Sequence, residues 1–205
     1  MPLGIQPEQI RNPLTAALAL LLALSGHAPF WEAKTPQQWT DAELKELFTN
    51  SPWAQQAVDA RGAGTAVYLA SARPLREAEL ELARRQPPID DDPDADEYRD
   101  FLRENQGRQI ILAVVLPDPK ALDDPAEVKH LEDECVLKVG QKKYLMTGHF
   151  PPTPSDRILR LVFPRPAVTD GKSLVFNLYV PGIGSHYRSA VFSFKDLTYR
   201  GAPEM

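Results

Sequence analysis

The sequence predicts an α+β fold, with short N-terminal helices and a hairpin followed by a C-terminal antiparallel β-meander. Three observations carry this expectation. Apolar and polar residues alternate over 159–163, 174–180 and 190–194, and a period of two marks strands with one face inward. Helix-period segments with capping signals are confined to the first half of the chain. Prolines number 20 against 11 glycines, and proline's fixed φ and missing donor favour short elements over long helices.

The first thirty residues read as an export signal. Arg11 and the amino terminus supply positive charge, and an apolar run over 14–24 is followed by Ser25-Gly26-His27-Ala28. Small residues at Gly26 and Ala28 suit cleavage after Ala28. Glu8 and the single basic side chain run against a strong n-region. The apolar run is too short to span a bilayer as a mature helix, so no membrane span is expected once the signal is removed. The division expected is 1–28 as signal peptide and 29–205 as one α+β domain, placed in the periplasm or outside the cell.

Past the signal, Thr40 and Glu43 form a capping box, Trp39 and Leu44 fit a hydrophobic staple, and Leu44, Leu47 and Phe48 share one helix face. Ser51-Pro52 ends that helix. Residues 53–60 and 65–72 read as two strands around the turn Arg61-Gly62-Ala63-Gly64. Pro74 suits the first turn of a second helix, with Leu75, Ala78 and Leu82 on one side. A third helix is expected with Asp94 as its cap and Tyr98, Phe101 and Leu102 as its apolar face. The apolar run 110–116 reads as a strand buried on both faces. Residues 134–139 and 142–147 read as a hairpin with Gly140 first in a type II′ turn.

Composition narrows the function classes. Hydrophobic residues make up 43% and charged residues 25%, which is globular. A net charge of -5 gives no overall field favouring nucleic acid. Cys135 is the single cysteine, so no intramolecular disulfide can form. It is expected as a small buried hydrophobe.

The chemistry-bearing residues do not assemble into a known motif. Asp90, Asp92, Asp94 and Asp96 alternate in an acidic run, and hard cations take such oxygens. However, a calcium loop begun at Asp90 meets Ala95 and Phe101 where glycine and glutamate are required. One begun at Asp92 meets Glu97 and Arg103. The run reads better as a solvated loop. Histidines 130, 149 and 186 lack metal-ligand spacing. Gly184-Ser185-His186 lacks the second glycine of a nucleophile elbow. Gly182-Ile183-Gly184 is too short for a dinucleotide fingerprint. Neither a cofactor nor a catalytic residue is expected from the sequence.

Trp39 and Trp53 are expected to pack the first helix on the sheet. Trp31 and Arg76 are the candidates for a binding surface. Arg76 could instead clamp Asp170 or Asp196 across the two halves, since a guanidinium can hold a carboxylate with two parallel bonds.

Three groups of residues carry a resemblance. The first is Trp39, Thr40, Glu43, Ser51, Pro52, Trp53 and Ala54. The second is Ser71, Ala72, Pro74, Leu75, Arg76 and Ala78. The third is Phe163, Pro164, Arg165, Asp170, Lys172, Lys195, Asp196, Tyr199 and Gly201. Together they resemble a family of uncharacterised exported bacterial proteins sharing W-[ST]-x-x-E, S-P-W-A, S-A-x-P-[LV]-R-x-A and F-P-R…K-D-x-x-Y-x-G patterns. The resemblance spans nearly all of the mature chain and implies a single exported domain. It implies no activity and no site residue. The function expected is a non-catalytic envelope or extracellular module that binds a protein or glycan. The alternative is a hydrolase with dispersed catalytic residues.

Overall fold

The computed structural model describes residues 28–86, 93–105, 107–153, 156–166 and 172–205. The fold is α+β, built around one nine-stranded antiparallel sheet. Its helices are α1 (Phe30–Ala33), α2 (Asp41–Thr49), α3 (Arg73–Arg85), α4 (Pro93–Glu104) and α5 (Pro125–Glu134). Its strands are β1 (Ala54–Val58), β2 (Gly64–Leu69), β3 (Gln109–Val115), β4 (Val136–Val139), β5 (Lys142–Leu145), β6 (Gly148–Phe150), β7 (Ile158–Pro164), β8 (Ser173–Tyr179) and β9 (Tyr187–Ser193). A two-stranded ribbon, β10 (Thr198–Tyr199) and β11 (Ala202–Pro203), ends the chain.

The strand order is β5-β4-β8-β9-β1-β2-β3-β7-β6. The early hairpin and β3 therefore sit in the middle of the sheet, and the C-terminal strands flank them on both sides. From β8 to β7 there are five strand-to-strand steps, about 24 Å in a flat sheet. Yet the rings of Phe176 on β8 and Phe163 on β7 lie 5.4 Å apart. The sheet must therefore curl until its inner face meets itself.

The chain also joins the two sheet edges. β5 pairs with β4, β6 pairs with β7, and only two residues separate β5 from β6. Within that gap Thr147 N donates to Val162 O at 2.8 Å. One stretch, 142–150, thus supplies both end strands of the sheet, and edge strands this short present few unpaired backbone groups. The interior is filled by side chains rather than left open: Leu69, Leu112, Leu137, Leu161, Phe163, Leu174, Phe176 and Phe192 are all fully buried.

The helices cover part of the outer face. Phe48 of α2 packs edge-on to Tyr68 of β2 at 5.0 Å. Tyr98 and Phe101 of α4 meet Phe150 of β6 at 5.2 and 5.1 Å. His130 of α5 stacks on Tyr179 of β8 at 5.3 Å. Tyr187 and Val191 on β9 remain exposed.

Local expectations fare unevenly. Thr40 and Glu43 make the capping box, with Glu43 N donating to Thr40 Oγ1 and Thr40 N to Glu43 Oε2. Gly140 has φ 58° and Gln141 does not share the positive φ, as a type II′ turn requires. The first two strands are shorter than expected: β1 ends at Val58 because the chain leaves the ladder at Asp59 to turn, and β2 ends at Leu69, where Ala72 N turns back onto Leu69 O. The strand expected from residue 134 begins at Val136, since Glu134 closes α5, a helix the sequence reading missed. The third helix starts at Pro93, so Asp94 lies inside it and not at its cap. Arg160 and Val162, expected on a wetter face, are buried because helices cover that side of β7. Phe194 lies beyond the end of β9 and is only partly buried.

Candidate functional site

The outer surface of the sheet carries a cleft of about 340 Å³ between α3, α4 and β3. Ser71 and Arg76 reach it from the β2–α3 junction and the first turns of α3. Phe101 and Leu102 come from the last turn of α4, and Asn105 and Gly107 from the loop behind it. Gln109 and Ile111 come from β3, Arg165 from just past β7, and Glu204 from the C-terminal segment. Five separate stretches of sequence therefore converge.

Each is held by ordinary backbone chemistry. Ser71 N donates to Ile111 O and Ser71 Oγ accepts from Ile111 N, so β2 stays paired with β3 as the chain turns into α3. Pro74, the second residue of that helix, enters its first turn with φ already set, which helps fix where Arg76 emerges. Arg165 N donates to Arg108 O at 3.0 Å, and its Nη2 donates to the main-chain oxygen of Met205. Glu204 Oε1 accepts from Arg73 N at 3.0 Å, while its carbonyl accepts from Trp53 Nε1 at 2.9 Å.

Electrostatically the cleft holds two guanidiniums and one carboxylate. Burial pushes the Arg165 pKa below the ordinary arginine value. The Glu204 carboxylate works against that shift, and the nearby charge of Arg76 adds to it. The Arg76 backbone N–H donates to Ala72 O, and its guanidinium makes no hydrogen bond or ion pair among the described residues. Two lining residues, Gln109 and Arg165, each carry a buried polar atom without a hydrogen-bond partner among the described residues, Oε1 and Nε. Such atoms cost free energy unless something completes them.

A second cleft, about 330 Å³, lies beside Asp59, Glu134, Tyr187 and Arg188. Its charges are already paired within the protein. Arg188 Nη1 and Asp59 Oδ2 are 3.2 Å apart with both side chains buried. Tyr187 OH donates to Glu134 Oε2 at 2.5 Å, and Glu134 Oε1 lies 2.7 Å from His130 Nδ1.

The sequence candidates are distributed as follows. Arg76 is in the first cleft. The alternative clamp to Asp196 is absent among the described residues, and Asp170 lies outside them. Trp31 is half-buried and edge-on to Phe30 and Trp53 at 4.9 and 5.9 Å, so it extends an aromatic cluster and does not line the cleft. Asp90 and Asp92 lie outside the described residues. Asp94 and Asp96 fall within α4. Among the described residues no group of three His, Cys, Asp or Glu side chains is placed to hold a metal ion. His186 stacks on Tyr179 at 4.8 Å with an interplanar angle of 6°. Sequence reasoning missed Arg165, Gln109 and Glu204 as site residues; Phe163-Pro164-Arg165 was noticed only as part of a pattern.

No family model, no curated protein and no solved structure matches the chain. No helix among the described residues is long and apolar enough to cross a membrane.

Proposed function

We propose that the chain is an exported, non-catalytic binding module of the cell envelope, and that its ligand docks in the cleft lined by Arg76 and Arg165. The observation that carries the proposal is Arg76, a residue lining the cleft whose guanidinium has no hydrogen-bond or ion-pair partner among the described residues. Arginine suits recognition because its planar fork presents several donors to one acceptor group. The cleft lining offers donors and an apolar wall, groups that suit recognition of a ligand. The membership in the exported bacterial family is part of the same proposal. Ser71, Arg76 and Arg165, which all line the cleft, belong to segments that carry the resemblance.

The export step rests on the apolar run 14–24 and on Gly26-His27-Ala28. N-terminal sequencing of protein recovered outside the cytoplasm should begin near Pro29. Recovery with Met1 or Pro2 still present would overturn it.

The binding step is tested by immobilising residues 29–205 and passing envelope extract over them. Material retained by the native protein, lost on Arg76→Glu and released with unchanged mass supports a binding module. Equal retention by Arg76→Glu removes the cleft as the site. Release with altered mass points to an enzyme.

A further inference from the structure

We propose that the outer face of β5-β4-β8-β9, at the end where five lysines gather, is a docking surface for an anionic lipid bilayer. This surface shares no residue with the cleft of Arg76 and Arg165.

Strand register brings the charges together. Lys143 on β5 stands opposite Lys138 on β4. Lys138 stands opposite Val175 on β8, and Val175 stands opposite Val191 on β9. Directly opposite residues share a face, so these four form one row across four strands. The row lies on the outer face, because the alternate residues Leu137, Leu174 and Phe192 are fully buried. Lys142 opens β5, Lys172 precedes β8 and Lys195 lies just past β9. Those strand ends are neighbours: Val139 pairs with both Lys142 and Leu174, and Phe194 N donates to Lys172 O at 3.0 Å. Five of the chain's nine lysines therefore sit at one end of four adjacent strands.

This end stays positive when every acid in it is counted. The segments 136–145, 168–175 and 190–197 hold those five lysines and only two acidic residues, Asp170 and Asp196, in a chain whose net charge is -5. The ammonium groups of Lys138, Lys143, Lys172 and Lys195 make no ion pair or hydrogen bond among the described residues. Like charges directly opposite across a ladder cost stability, so folding gains nothing from Lys138 facing Lys143. An anionic partner turns that repulsion into attraction.

The apolar neighbours select the partner. Leu145 is 65% exposed and Val191 54% exposed. Leu145 pairs with Val136 in the next row of the same face. A headgroup layer takes both kinds of side chain: its phosphates meet the lysines, and its acyl boundary takes Leu145 and Val191 out of water. A nucleic acid or an acidic polysaccharide would meet the lysines and leave the two aliphatic side chains wet.

The experiment sediments the full chain with vesicles of phosphatidylcholine alone, and of phosphatidylcholine with phosphatidylglycerol. The neutral vesicles report whatever the apolar run 14–24 contributes by itself. Anionic vesicles should bind at least about tenfold more tightly at low salt, and raised salt should remove the difference. Lys138→Gln/Lys143→Gln should lose about fivefold for each lysine removed. This variant also relieves the like-charge pair, so its urea midpoint should hold or rise. Should that midpoint fall, Lys143→Gln and Lys172→Gln, each on an exposed residue, carry the reading instead. Leu145→Ser should weaken vesicle binding and leave retention on heparin unchanged.

Equal binding to neutral and anionic vesicles would overturn the proposal. So would an anionic preference that the lysine variants leave intact. Retention on heparin without vesicle binding would overturn the bilayer and make this face a surface for a soluble polyanion.

Discussion

Arg160 on β7 donates from Nη2 to Oε1 of Glu79 on α3 across 3.1 Å, and neither side chain is more than 17% exposed. Tyr68 OH donates to the same Glu79 oxygen at 2.8 Å. Arg160 Nη1 also lies 2.8 Å from Asp156 Oδ2, and the guanidinium sits 4.3 Å from the ring centre of Tyr98 on α4. One arginine therefore ties two helices to the strand beneath them. Burial works against its charge, and Glu79 with its neighbours more than restores it.

Removing one partner of a buried pair costs more than the pair contributes, because a charge is left uncompensated. Glu79→Ala should destabilise the fold by about 3 kcal/mol. The double variant Glu79→Ala/Arg160→Met should cost less than the two single changes added together by at least about 1 kcal/mol. Urea unfolding of all four proteins measures this. Additive losses would show that the contact carries no coupling.

Phe176 is edge-on to Phe163 and to Phe192, at 5.4 and 5.8 Å, where the curled sheet closes on itself. Phe176→Ala should cost roughly 3–5 kcal/mol, from lost transfer energy plus an unfilled cavity. An unchanged urea midpoint would show that the inner face does not close there.

Acid stability should depend on Glu81. This side chain is buried on α3, and Arg84 and Arg85 both donate to it. Those hydrogen bonds, Arg84 first and Arg85 next, hold its carboxyl down to about 2. A depressed folded pKa contributes stability that is present above the unfolded value and lost as pH falls through the folded one. The contribution should therefore be intact at pH 5 and disappear on the way to pH 2. Unfolding midpoints measured across that window should fall less steeply for Glu81→Gln than for the native chain. Parallel curves would refute the assignment.

Much of this fold was legible locally. The capping box at Thr40, the turn at Gly140 and the alternation over 174–180 each follow from rules that act within a few residues. The curl was not legible, because it depends on pairing strands far apart in sequence, such as Val58 with Ser189. The helix Pro125–Glu134 was overlooked although Asp124 caps it through Ala126 N and Pro125 opens it, both of which are sequence signals. At the cleft, Arg76 stood out by charge beside an apolar face. Gln109 and Glu204 could not, since only the pairing of β3 and the return of the C-terminal segment bring them to it.

Cys135 supplies the last prediction, on the opening of the fold. It follows the final residue of α5 and is fully buried. Its Sγ lies 3.6 Å from Tyr179 O and accepts from Tyr179 N at 3.4 Å. Burial raises the thiol to about 12, and the Tyr179 N–H opposes that rise only in part. The thiolate is the reactive form, so at pH 8 the folded protein should resist a thiol reagent while the urea-unfolded chain reacts at once. The slow labelling that remains should follow the rate or extent of opening of α5 from β8. A raised folded pKa also contributes stability that is complete below the unfolded thiol value and lost as pH climbs toward about 12. Cys135→Ala should flatten that alkaline loss. Rapid labelling of the native protein at pH 8 would show that α5 does not seal the thiol against β8.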